Sequence, residues 1–140
     1  MKRCAGFAAA LIMLASPVAA FCKELAALEG QGNDITLPAT PMVAECRTSI
    51  QLGGRQQTQC GWPFAYRSDA ASEAFERLND AVSDCLGPET VATRDQSVNH
   101  PDFYDLRLYQ VGEREIGVSL KDKAGLQETY VFLRVARTDR

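Results

Sequence analysis

The chain has 140 residues, 46% of them hydrophobic and 24% charged, with a formal charge of −3. That length suits one domain, and the acidic balance lacks the basic footprint that a phosphate backbone demands, which argues against nucleic acid as a partner. No apolar run reaches the roughly 20 residues of a membrane-spanning helix, so no membrane insertion is expected.

Lys2 and Arg3, the apolar stretch Cys4 to Ala15 and the small-residue end Val18-Ala19-Ala20 read as a secretory signal peptide over residues 1–20, with cleavage expected after Ala20. Removing those 20 residues from 140 leaves 120, and losing Lys2 and Arg3 takes the charge from −3 to −5. A lipid anchor would need a small residue before the modified cysteine, but Phe21 precedes Cys22. The product is therefore expected to be soluble, and periplasmic or secreted. Of the five cysteines, Cys4 leaves with the signal, so Cys22, Cys46, Cys60 and Cys85 remain. An even number in an oxidising compartment predicts two structural disulfides. No C-x-x-C occurs to suggest a redox or paired-knuckle zinc motif.

Residues 21–41 are expected to form a short helix and a linker. Leu25 and Leu28 share a helical face, Gly30 stops the helix, and the stretch to Pro41 holds two glycines and two prolines. A single α+β domain is expected over 42–137. It opens with a strand in which Ala44, Cys46, Thr48, Ile50 and Leu52 alternate with polar residues. A second strand follows Gly53-Gly54, with Thr58, Cys60, Trp62, Phe64 and Tyr66 on one face.

Parity decides the register of this hairpin. A two-residue Gly53-Gly54 loop would set the apolar face of one strand beside the polar face of the other. A three-residue loop, Leu52-Gly53-Gly54, with Gly54 in the left-handed conformation of a G1 bulge, restores agreement. Cys46 then lies opposite Cys60 in a non-hydrogen-bonded pair, where side chains approach most closely. The first predicted bridge is Cys46–Cys60, and elimination leaves Cys22–Cys85. Pro63 cannot donate to a ladder, so its strand is expected at an edge or bulged there.

A helical period takes over after Tyr66. Ser68 or Asp69 caps it, Ala71, Phe75, Leu78, Val82 and Cys85 or Leu86 form the apolar stripe, and Gly87-Pro88 ends it. Residues 88–102 have no clear period and leave room for a short strand near Thr90 to Thr93. Three alternating runs follow, with turns at Gly112-Glu113-Arg114 and Lys123 to Leu126. The predicted order is α-ββ-α-βββ: an antiparallel sheet with one long amphipathic helix across a face.

Two constellations invite a functional reading. With Leu106, Leu108, Val131 and Leu133 facing the helix, Arg107, Tyr109, Tyr130, Phe132 and Arg134 are expected on the opposite face, and these residue types dominate binding hot spots. If residue 104 pairs with 122, then His100, Asp102, Asp105, Lys121 and Asp122 gather at one sheet edge. A general acid/base or metal site there would rest on a single histidine, short of the three or four ligands a metal needs. Charged turn chemistry at a wet strand end is the favoured reading of that cluster. No catalytic residue, cofactor or metal is expected, since no G-x-S-x-G, S-x-x-K, G-x-G-x-x-G or G-x-x-x-x-G-K-[ST] occurs.

The favoured function is a non-enzymatic binding or inhibitor-like module of the periplasm, whose partner is another envelope or secreted protein. The alternative is a structural or assembly factor of the cell envelope, monomeric or weakly homodimeric through a strand edge. A small His-dependent hydrolase ranks below both.

Overall fold

The computed structural model describes residues 16–28, 34–96 and 103–137. Helix α1 runs over Pro17–Ala27, starting four residues before the predicted Phe21. Ser16 explains the early start: its side chain accepts the Ala19 N–H, and Pro17 occupies the first turn, where it costs no hydrogen bond. Phe21, Leu25 and Leu28 are buried. The expected linker contains structure of its own. Strand β1 (Ile35–Thr36) pairs with β2 (Val43–Ala44), and Ile35 and Leu37 are fully buried. The Glu24 carboxylate accepts the Thr36 N–H at 2.9 Å and ties this ladder to α1.

The main sheet comprises β3 (Cys46–Ile50), β4 (Gln56–Ala65), β5 (Thr93–Asp95), β6 (Tyr104–Val111), β7 (Arg114–Lys123) and β8 (Glu128–Arg137). Its order is β3-β4-β8-β7-β6-β5, antiparallel throughout. Helix α2 (Asp69–Leu86) connects β4 to β5 and packs on β4, β8 and β7. Ser68 caps it, and Gly87 ends it with φ +84°, a conformation open to glycine. The α+β class and the element order are as predicted. The short strand expected near Thr90 to Thr93 begins at Thr93.

The first hairpin has the register that parity demanded. Cys46 pairs with Cys60, and the Gln51 N–H donates to the Arg55 carbonyl at 2.8 Å, closing a three-residue loop. Both loop glycines have positive φ, +95° at Gly53 and +81° at Gly54, so the turn needs glycine twice. Cys46–Cys60 and Cys22–Cys85 are bonded, with Cα atoms 4.2 and 5.3 Å apart. Odd-numbered residues of β4 direct their backbone groups toward β3, which ends its pairing at Cys60. Pro63 therefore turns its missing donor to an open edge, as its chemistry requires.

The meander departs from expectation by one residue. Val111 pairs with Arg114 across a two-residue turn, Gly112-Glu113, with φ +58° at Gly112. Glycine at the first central position is the requirement of a type II′ turn, which matches the twist of the flanking strands. Tyr104 consequently pairs with Lys121 rather than Asp122. A slip of one residue sends every side chain of a strand to the other face. On β6 it is Phe103, Asp105, Arg107 and Tyr109 that turn toward α2, while Leu106 and Leu108, expected inward, lie on the far face.

Candidate functional site

The sheet presents two unlike faces. Under α2 lie Cys60, Trp62, Ile116, Val118, Val131, Leu133 and Val135, all buried, against Ala74, Phe75, Leu78 and Val82 of the helix. Helix α1 and the β1–β2 ladder pack on this same side: α1 meets α2, and the Trp62 indole donates to the Met42 carbonyl at 3.2 Å. Among the described residues no element lies over the opposite face. It is open, and its side chains are half-buried by one another.

The relief of that open face follows from the register. Strand β7 contributes small residues at its centre, Gly117 and Ser119. They are flanked by Leu108 and Leu106 on β6 and by Arg134 and Phe132 on β8. A column of small residues between columns of large ones makes a groove of about 270 Å³, with Tyr104, Lys121 and Lys123 at one end. Phe132 leans across its other neighbour, Gly61; a Cβ there would stand 2.8 Å from the ring. Only glycine leaves room for that ring position. Tyr130 stacks on Phe132, centroids 5.3 Å apart and planes within 6°.

Polar contacts hold the rims. The Arg134 guanidinium lies over Gly117 and donates to Glu115 at 2.5 Å. The Tyr130 hydroxyl donates to Glu128 at 2.6 Å, and that hydrogen bond, more than burial, raises its pKa. Burial raises the Tyr104 hydroxyl, opposed by the charge of Arg134. Both phenols are therefore neutral donors at physiological pH. Lys121 and Lys123 make no ion pair with any described residue.

The five residues expected to form one binding surface are divided between the faces. Tyr130, Phe132 and Arg134 are on the open face. Tyr109 is buried under α2, its hydroxyl donating to the Asn79 side-chain and backbone oxygens at 3.3 and 3.4 Å. Arg107 bridges the seam, 3.2 Å from Glu76 and 3.5 Å from Asp105, with its guanidinium 5.0 Å from the Phe75 ring centre. Both positions belong to the helix–sheet contact. Sequence reasoning missed Tyr104, Leu106 and Ser119 as groove residues. The signal that could have found them is Gly112-Glu113 read as a two-residue turn.

The polar edge cluster is divided as well. His100 and Asp102 lie outside the described residues. Lys121 is on the open face, whereas Asp105 and Asp122 are buried on the helix side. Each carboxylate has its own arginine. Asp105 meets Arg94 at 2.9 Å and Gln96 at 3.3 Å; Asp122 meets Arg67 at 2.8 Å and the Thr129 hydroxyl at 2.7 Å. Arg67 has φ +52°, and its N–H donates to the Thr129 oxygen at 2.8 Å. This network clamps the strained approach to α2 onto the sheet, and the charges are spent on that task. Among the described residues no three His, Cys, Asp or Glu side chains converge as metal ligands would.

No family model matches the chain, and neither a curated protein nor a solved structure matches it, so the reading of the site rests on its own geometry.

Proposed function

We propose that the protein is an exported, disulfide-stapled domain acting in the periplasm or as a secreted protein. It serves there as a non-enzymatic, inhibitor-like binding module for another envelope or secreted protein. The observation that carries this reading is the open sheet face: paired aromatic rings, arginine and a groove on a surface that no described element covers. Tyr, Phe and Arg supply rigid contact area at interfaces, and here Phe132 and Arg134 stand along a groove on that face, with Tyr130 stacked on Phe132. Both disulfides support an oxidising compartment.

The test is affinity capture of the mature protein from its native envelope, run beside a Tyr130→Ala/Phe132→Ala variant. One stoichiometric partner, bound at least ten- to thirtyfold more weakly by the variant, is the expected result, since truncating a central hot spot costs about 2 kcal/mol. Unchanged capture with a lowered melting temperature would assign the two rings to folding alone.

The edge strand β3 favours a second reading, an envelope assembly factor that pairs with itself. Even-numbered residues of β3 turn backbone groups outward, and Ile50 and Leu52 beside them are exposed. Such an edge is a template for another strand. A mass that stays monomeric as concentration rises would remove this reading.

A further inference from the structure

The open face holds an arrangement of charge that bears on what it binds. Along β7 the outward side chains are Lys123, Lys121 and Ser119, and the next outward position, Gly117, is covered by the guanidinium of Arg134. Four donor positions thus follow one strand, spaced by about 6.8 Å, the repeat of alternate residues in an extended chain. Among the described residues that line the groove there is no carboxylate. The two acids at its ends are engaged, Glu115 with Arg134 and Glu128 with the Tyr130 hydroxyl. Among the described residues Lys121 and Lys123 are left as cations without an ion-pair partner, on a chain whose net charge is −3.

We propose that this track receives an extended acidic segment of a partner protein, with carboxylates at alternating positions over Lys121 and Lys123 and its backbone along β7. An extended peptide projects alternate side chains to one side at the same repeat as the track, so successive carboxylates meet successive donors without either chain distorting. The Phe132 and Leu106 side chains wall the groove and lower the local dielectric, which strengthens each contact. Ser119 donates at the next position beyond Lys121, and the neutral Tyr104 hydroxyl donates from the strand beside Lys121. The proposal rests on the open face being the binding surface and adds the chemistry of what lies on it.

The probe is a fluorescent peptide of alternating glutamate and threonine, titrated by anisotropy into the mature protein with both disulfides intact. A glutamine-for-glutamate peptide and inorganic polyphosphate serve as comparisons. The glutamate peptide is expected to bind at least tenfold more tightly than the glutamine peptide, with an affinity that falls as salt rises. Lys121→Ala/Lys123→Ala should lose that tenfold preference at an unchanged melting temperature, and Lys121→Arg/Lys123→Arg should keep it. Equal binding of the two peptides, wild-type binding by the alanine variant, or preference for polyphosphate overturns the proposal. Capture of the natural partner lost in Tyr130→Ala/Phe132→Ala but kept in the lysine variant would refute the acidic segment while leaving the binding face in place. Capture indifferent to both variants would remove the face itself.

Discussion

Tyr109 and Tyr130 are two tyrosines on the first and third strands of one meander with opposite duties. Tyr109 is 4% exposed, and its hydroxyl finds two acceptors on Asn79. Tyr109→Phe keeps the packing and should cost about 0.5–1.5 kcal/mol, the net value of a hydrogen bond. Tyr109→Ala adds a cavity and should cost about 3–5 kcal/mol. Burial raises the Tyr109 pKa above its ordinary value, so the folded state favours the protonated phenol. Its contribution is fully present below the unfolded value of about 10 and is lost as pH rises through the higher folded value. Thermal melts across this alkaline range should show wild type losing stability more steeply than Tyr109→Phe. Equal slopes would mean that Tyr109 ionises without strain. The alternation of Tyr109 with Leu108 was legible in the sequence. Which of the two faced the helix was not, because both are large apolar side chains that a half-buried strand accepts on either face.

Elements are fastened here by turns and bridges, and the two hairpins teach opposite lessons. In the first, two cysteines and a run of aromatics had to share a face, so only one loop length was consistent. In the second, Tyr104 to Val111 offers apolar residues at both parities, and the choice passed to the turn at Gly112. The bridges differ in what they close. Cys46–Cys60 spans 14 residues and Cys22–Cys85 spans 63, so chain entropy assigns about 3 kcal/mol to the first and about 4 to the second. Denaturant titrations of Cys46→Ala/Cys60→Ala and Cys22→Ala/Cys85→Ala should give losses of that order, the second larger. Hydrogen exchange should show α1 opening first in the second variant, since α1 is otherwise held by Phe21, Leu25 and Leu28 and by the Arg114 guanidinium donating to the Leu25 carbonyl. A greater loss from the hairpin bridge would mean that strain, not loop length, governs the pair.

At the scale of the whole molecule, burial changes along α1. Ser16 to Ala20 are all exposed, and Phe21 is the first buried side chain of α1. Cleavage at the expected site after Ala20 would remove no core residue among those described. It would forfeit the Ser16 cap and put an ammonium at a helix amino terminus, together about 1–2 kcal/mol of local helix stability. The chain starting at Phe21 should therefore melt within a few degrees of one starting at Ser16, and the intact mass of the exported protein should correspond to Phe21 onward. A large drop in melting temperature would show that the first turn of α1 is needed for the fold.

The α+β class, the order of elements, the limits of α2 and both disulfides were determined by the sequence itself, because each rests on a local rule: a period of 2 or 3.6, a cap, a glycine, a parity forced by two cysteines. The tertiary structure alone decided what the open face carries. Gly117, Ser119, Phe132 and Gly61 become neighbours only because β8 inserts between β4 and β7, and one residue of register there exchanges a core face for a groove. The pairing of β4 with β8 is set by summed burial across strands distant in sequence. No single strand contains that sum.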